Sequence, residues 1–91
     1  MPVRWSPNAT NEFSRIIEHI RKDSPDAALR TAKAIYDRAV ALSTFPYRGR
    51  IGRVQGTREL PLTPLPFIVV YRILPLAVEI ANILHGAQRW P

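Results

Sequence analysis

From Ser6 onward the apolar residues recur at helical spacing. Ala9, Phe13, Ile16, Ile17 and Ile20 fall at i, i+4, i+7, i+8 and i+11, a single stripe, with Arg15, Glu18 and Arg21 off it. Ser6-Pro7 supplies a start signal. A serine oxygen can accept an orphan N–H of the first turn, and proline suits the first helical position because no N–H is needed there. The same pair returns at Ser24-Pro25, followed by Asp26, whose charge favours the positive end of a helix. Ala28, Ala32, Ile35, Tyr36, Ala39 and Leu42 continue the helical spacing to about Ser43. The connection between the two helices is so short that they must double back as an antiparallel hairpin. Alanines along the second helix permit close approach to whatever packs there.

The remaining segments follow strand chemistry. Pro2–Trp5 predicts a brief strand with Val3 and Trp5 on one side and Arg4 on the other. Phe45–Gly56 holds three of the four glycines and three arginines, and reads as a loop. Thr57–Leu62 predicts a short strand broken by Pro61. Phe67-Ile-Val-Val-Tyr-Arg-Ile73 is β-branched and aromatic apart from Arg72, the strongest strand signal in the chain. Leu74-Pro75-Leu76 is a turn, and Val78–His85 a last strand ended by Gly86. Neighbouring strands with short connections pair antiparallel. The expected fold is therefore α+β, a single domain over residues 1–91 in the order β-α-α-β-β-β, with the helical hairpin packed on a small antiparallel sheet. One face of that sheet is expected to stay partly open, with arginines near it, as the surface for a partner.

Composition narrows the chemistry. A chain of 91 residues buries roughly 60–65% of its unfolded surface, so the core is thin. With no cysteine, disulfide scaffolds, zinc fingers and thiol catalysis are excluded. No apolar run approaches membrane-spanning length, and the amino terminus lacks the order of a signal peptide, so a cytoplasmic protein is expected. The net charge is +6, and 11 of the 13 basic residues are arginine, the side chain suited to bidentate phosphate or carboxylate contacts. Pro7–Thr44 is nearly neutral, whereas Phe45–Pro91 holds six arginines against Glu59 and Glu79. The positive potential belongs to the second half.

Three places there could carry function. Tyr47-Arg48-Gly49-Arg50-Ile51-Gly52-Arg53 offers guanidinium groups beside an aromatic ring, suited to phosphate contact with base stacking, or else it is a solvated loop. Arg58 and Glu59 are adjacent on a strand, so they point to opposite faces and cannot pair with each other. Arg58 is expected on the open face as a functional cation, or in an ordinary cross-strand ion pair. At the carboxyl end, His85 and Arg89 could move a proton and stabilise charge on phosphorus, while Trp90 fits a packing plug better than a stacking platform. His19, beside the apolar stripe, reads as structural or surface. Neither a carboxylate pair, a phosphate cradle nor a metal cluster is legible, so no cofactor or metal is expected. From residues alone this is a small basic module for nucleic acid or an acidic protein.

The ordered set of the Ser-Pro helix pair, Leu42-Ser-Thr-Phe-Pro-Tyr47, Gly56-Thr-Arg-Glu-Leu60, Pro66-Phe-Ile-Val-Val-Tyr-Arg72, Val78–Gly86 and Arg89-Trp-Pro91 resembles the RelE/ParE superfamily, toxins of type II toxin–antitoxin operons. The resemblance covers essentially the whole chain and implies the same fold. RelE-type members are ribosome-dependent mRNA endonucleases with an arginine three residues before the tyrosine of the central strand; here that residue is Ile68. The Ile83-Leu84-His85 ending and the Pro66–Arg72 strand look closer to ParE-type members, which poison DNA gyrase without a nuclease site. The resemblance thus implies a gyrase poison neutralised by a cognate acidic antitoxin in a hetero-oligomer, with Arg48, Arg50, Arg53, Arg58, Arg89 and Trp90 as partner-binding candidates. A RelE-like alternative would be a metal-independent endonuclease acting on ribosome-bound mRNA through Arg58, Tyr71, Arg72, His85 and Arg89. A degenerate toxin that only binds its antitoxin is the third reading.

Overall fold

The structure is a computed structural model, and it describes every residue except Ala87. Strand β1 (Val3–Trp5) leads into helices α1 (Pro7–Asp23) and α2 (Pro25–Val40), the second ending in a 3-10 turn at Ala41–Ser43. Strands β2 (Arg50–Ile51), β3 (Arg58–Pro61), β4 (Phe67–Ile73) and β5 (Val78–His85) follow. The sheet order is β1-β5-β4-β3-β2. The expected strand, helical hairpin and three main strands are all present.

Both helices begin as the Ser-Pro pairs require. Ser6 Oγ accepts the Ala9 N–H at 3.0 Å and Ser24 Oγ accepts the Ala27 N–H at 3.1 Å, each ahead of a first-turn proline. Ser24 also ends α1, its N–H donating to the Ile20 carbonyl at 2.9 Å, so one residue closes one helix and opens the next. The hairpin lies on one face of the sheet. Ala9, Ile35, Ala39 and Leu42 meet Leu60, Val69, Tyr71, Ile80 and Ile83 there, and Ala9, Ile35 and Ala39 have no exposed surface. Trp5 fastens β1 to both helices, its ring 5.4 Å from Phe13 and stacked 6.4 Å from Tyr36.

Three features depart from the expected pattern. First, β1 runs parallel to β5, pairing Val3 with Val78 and Trp5 with Ile80, so the sheet is antiparallel except at that edge. A parallel pair needs a long connection, and the helical hairpin followed by β2, β3 and β4 supplies it between β1 and β5. Second, the loop Phe45–Gly56 contains the two-residue strand β2, paired with Arg58 and Glu59 of β3. Gly56, at φ 81°, supplies the left-handed turn that lets the chain reverse between them. Third, β5 carries a bulge. Tyr71 pairs with Ile80 but Val70 pairs with Asn82, leaving Ala81 as the extra residue. The bulge turns both Ile80 and Ile83 toward the helices, which strict alternation forbids. The Ser6 hydroxyl donates to the Ala81 carbonyl at 2.8 Å, and Glu12 of α1 accepts the Ile83 N–H at 3.0 Å and the Asn82 amide at 3.1 Å. The first turns of α1 thus satisfy the edge of β5 where β1 stops.

The face away from the helices carries Glu59, Ile68, Val70, Arg72, Glu79 and Leu84 by alternation and register. It is only partly open, since Glu59, Val70 and Leu84 are buried.

Candidate partner-binding site

The arginines of the second half do not form one basic face; the sheet sorts them. Glu59 of β3 points away from the helices and is 1% exposed. Arg50, opposite it on β2, places Nη2 3.1 Å from Glu59 Oε1. Arg53, just past β2, donates to the same carboxylate from its backbone N–H at 2.9 Å, from Nε at 3.2 Å and from Nη2 at 3.2 Å. Burial alone pushes a carboxyl pKa up, but the hydrogen bonds from Arg53 and Arg50 and the Arg53 charge outweigh it and lower Glu59 to about 2. Arg53 also reaches the terminal tail, where Nη1 stands 3.4 Å from the Trp90 carbonyl. Trp90 is half-buried, with its indole N–H covered and unpaired among the described residues. Arg72 lies across from Glu79 on the same face at 3.8 Å.

Arg58 is elsewhere. The expectation of an open-face cation is corrected: Arg58 shares its side with Tyr71 and Leu60, which face the helices. Nor does it join a cross-strand ion pair. At the end of the hairpin its Nη1 donates to the Gly49 carbonyl at 2.7 Å, and its guanidinium lies 4.9 Å from the centre of the Tyr47 ring. Arg48 repeats the arrangement over Phe45 at 4.7 Å. Both are cation–π geometries, and neither arginine has an acidic partner among the described residues.

The loop bearing these rings is tied to the core by Tyr71. Its hydroxyl accepts the Gly49 N–H at 2.9 Å and donates to the Pro46 carbonyl at 2.7 Å. Burial raises the Tyr71 pKa, while the Gly49 N–H and the Arg58 charge pull it down. Gly49 has no room for a side chain: a Cβ would stand 2.7 Å from the Tyr71 hydroxyl oxygen and 2.9 Å from the Glu59 carbonyl.

The nuclease candidates do not gather into one site, although Arg58 and Tyr71 pair in register. Tyr71 is spent on the loop, Arg72 is on the opposite face, and His85 pairs in register with Phe67, four residues from Tyr71, about 13 Å along the strand. The His85 ring stands edge-on to Phe67 at 5.8 Å. Arg89 is exposed in the tail. Among the described residues no group of His, Asp and Glu could hold a metal ion, and no helix is long and apolar enough to cross a membrane.

A second feature is an apolar groove of about 480 Å³ between α1 and the start of β4, lined by Ile16, His19, Ile20, Leu65, Phe67 and His85. His19 is exposed along its wall, in keeping with the surface role expected of it. Neither the groove nor the Glu59 cluster was legible in the sequence, because each gathers residues from separate elements. The sequence placed arginines and an aromatic ring in one loop, but not that Arg48 covers Phe45 or that Arg58 of β3 covers Tyr47.

A family described as "ParE toxin of type II toxin-antitoxin system, parDE" matches residues 3–90. The chain belongs to the ParE toxin family. Relatives of this ParE chain include "Putative toxin Y4kP" of Sinorhizobium fredii, 42% identical over 89 residues, covering 98% of this chain and 92% of that protein. "Toxin RelE3" of Caulobacter vibrioides is 30% identical over 89 residues, with 96% of each chain covered. Among solved structures, one titled "Chromosomal ParDE TA system from P. aeruginosa" superposes with a TM-score of 0.84 at 25% identity, over 93% of this chain and 95% of that one. The superfamily resemblance, its ParE leaning and the fold it implied are all supported.

Proposed function

We propose that this ParE-family toxin arrests growth in the cytoplasm by poisoning DNA gyrase, and that a cognate acidic antitoxin neutralises it. The family match over residues 3–90 carries the reading. The dispersed positions of Tyr71, Arg72 and His85 favour a toxin that acts by docking over one that acts by cleavage. A gyrase poison needs a binding surface rather than a proton-transfer site, and the stacked arginines and apolar groove offer surfaces. An antitoxin segment that folds on binding can lay apolar side chains in the groove while its carboxylates meet arginines.

The test is induction of the toxin without antitoxin, read two ways. Gyrase-dependent DNA breaks with intact mRNA are expected. Cleavage of ribosome-bound mRNA with gyrase unaffected would overturn the proposal in favour of the RelE-like alternative.

A further inference from the structure

Phe45, Tyr47 and Ile51 are 53%, 69% and 74% exposed, yet the stretch that bears them is firmly held. The Tyr71 hydroxyl ties down Pro46 and Gly49, Arg58 clamps the Gly49 carbonyl, and β2 pairs Ile51 with Arg58. Large apolar side chains at a rigid, exposed site are unfavourable to the free protein and favourable to a complex, because little ordering entropy remains to be lost. The mixture of Phe, Tyr and Arg is the composition that dominates binding energy at protein interfaces. Two guanidinium groups with no carboxylate partner among the described residues, each stacked on an exposed ring, complete the surface.

Resting on the reading of this chain as a ParE toxin, we propose that the Phe45–Ile51 platform docks onto the folded protein target, seating Tyr47, Phe45 and Ile51 in an apolar cleft rimmed by carboxylates. Three observations select this occupant. The aliphatic Ile51 and the ring of Phe45 match an apolar protein cleft, whereas nucleic acid offers mainly charge and stacking. Arginine already covers one face of both rings, which reduces what a base could stack on. An apolar groove lined by Ile16, Ile20 and Phe67 lies elsewhere on the molecule and suits a disordered antitoxin segment, which leaves the platform to the folded target.

The test compares wild type with Tyr47→Ala and Arg48→Glu, which remove one exposed ring and reverse one charge outside the packed core. Growth arrest, inhibition of purified gyrase, affinity for the antitoxin and melting temperature are measured for each. Both variants should lose at least tenfold in arrest and gyrase inhibition, with antitoxin affinity within about threefold of wild type and melting nearly unchanged. Undiminished arrest, or a parallel loss of antitoxin affinity, would overturn the platform as the target surface. So would wild-type binding to a single-stranded oligonucleotide that both variants lose together with arrest. If wild type arrests growth through a protein other than gyrase and the variants do not, the platform stands and the gyrase reading falls. If wild type inhibits gyrase and the variants inhibit it equally, the reverse holds.

Discussion

Glu59 sits where a carboxylate is costly, under the far face of the sheet, and stays ionised because Arg53 and Arg50 surround it. Its folded pKa of about 2 lies below its ordinary 4.5, so protons bind the unfolded chain more readily. The stabilisation is therefore full above about pH 4.5 and disappears as the pH falls toward 2. With screening at the half-exposed arginines allowed for, it is worth on the order of 2 kcal/mol. Urea unfolding of Glu59→Gln should show that loss at pH 7 and little difference from wild type near pH 2. A second single-residue effect concerns the loop. Tyr71→Phe removes the acceptor for the Gly49 N–H and the donor to the Pro46 carbonyl, leaving polar backbone groups unpaired in a partly buried site. A destabilisation of about 1–3 kcal/mol is expected. Because the loop carries the platform, toxicity should fall further than stability alone explains, which parallel unfolding and growth-arrest measurements can separate.

Among elements, α1 does more than cover the sheet. Its capping serine joins helix start to sheet edge, since the Ser6 hydroxyl accepts from Ala9 and donates to the bulge carbonyl of Ala81. Ser6→Ala loses both, and should cost about 2 kcal/mol, more than an isolated cap because a partly buried carbonyl is left behind. Amide exchange at Ile83 and its neighbours on β5 should quicken along with that at the start of α1. The Ser-Pro signals made both helix starts legible because capping is a contact between near neighbours in sequence. The bounds of β4 and β5 were legible for a related reason: turn residues at Pro66, Pro75 and Gly86 flank runs rich in β-branched and apolar residues. What stayed hidden depends on contacts between distant segments. No local pattern shows that β1 lies parallel to β5, that a bulge turns Ile83 inward, or that Arg50 and Ile51 pair as β2. The same limit governed the site. Alternation separates Arg58 from Glu59, but only the packing of Leu60 and Tyr71 under the helices decides which of the two faces them.

At the scale of the whole molecule, a charge of +6 is already net of Glu59 and Glu79, and the structure shows where the surplus sits. Arg50 and Arg53 are drawn to Glu59, and Arg72 faces Glu79, so the field of the second half comes mainly from Arg48, Arg58 and Arg89. Encounter with the proposed acidic antitoxin should be steered by the net positive field of the whole chain rather than by any one arginine, because the two molecules attract before they touch. Salt shortens that reach, from a screening length of about 10 Å at 0.1 M to about 3 Å at 1 M. If the antitoxin seats in the groove as proposed, dissociation should depend instead on its apolar side chains, which salt scarcely weakens. Stopped-flow measurement across that range should show the association rate falling at least tenfold while the dissociation rate changes less than threefold. A dissociation rate rising in step with salt would instead place the energy of the complex in ion pairs and exclude the groove as its anchor. Binding should also supplement a thin core: antitoxin at about 1,000 times its dissociation constant would add about 4 kcal/mol to the stability of the toxin. Glu59→Gln and Ser6→Ala toxins, weakened alone, should therefore recover most of their lost melting temperature in the complex, whereas a groove substitution such as Ile16→Ala should recover much less.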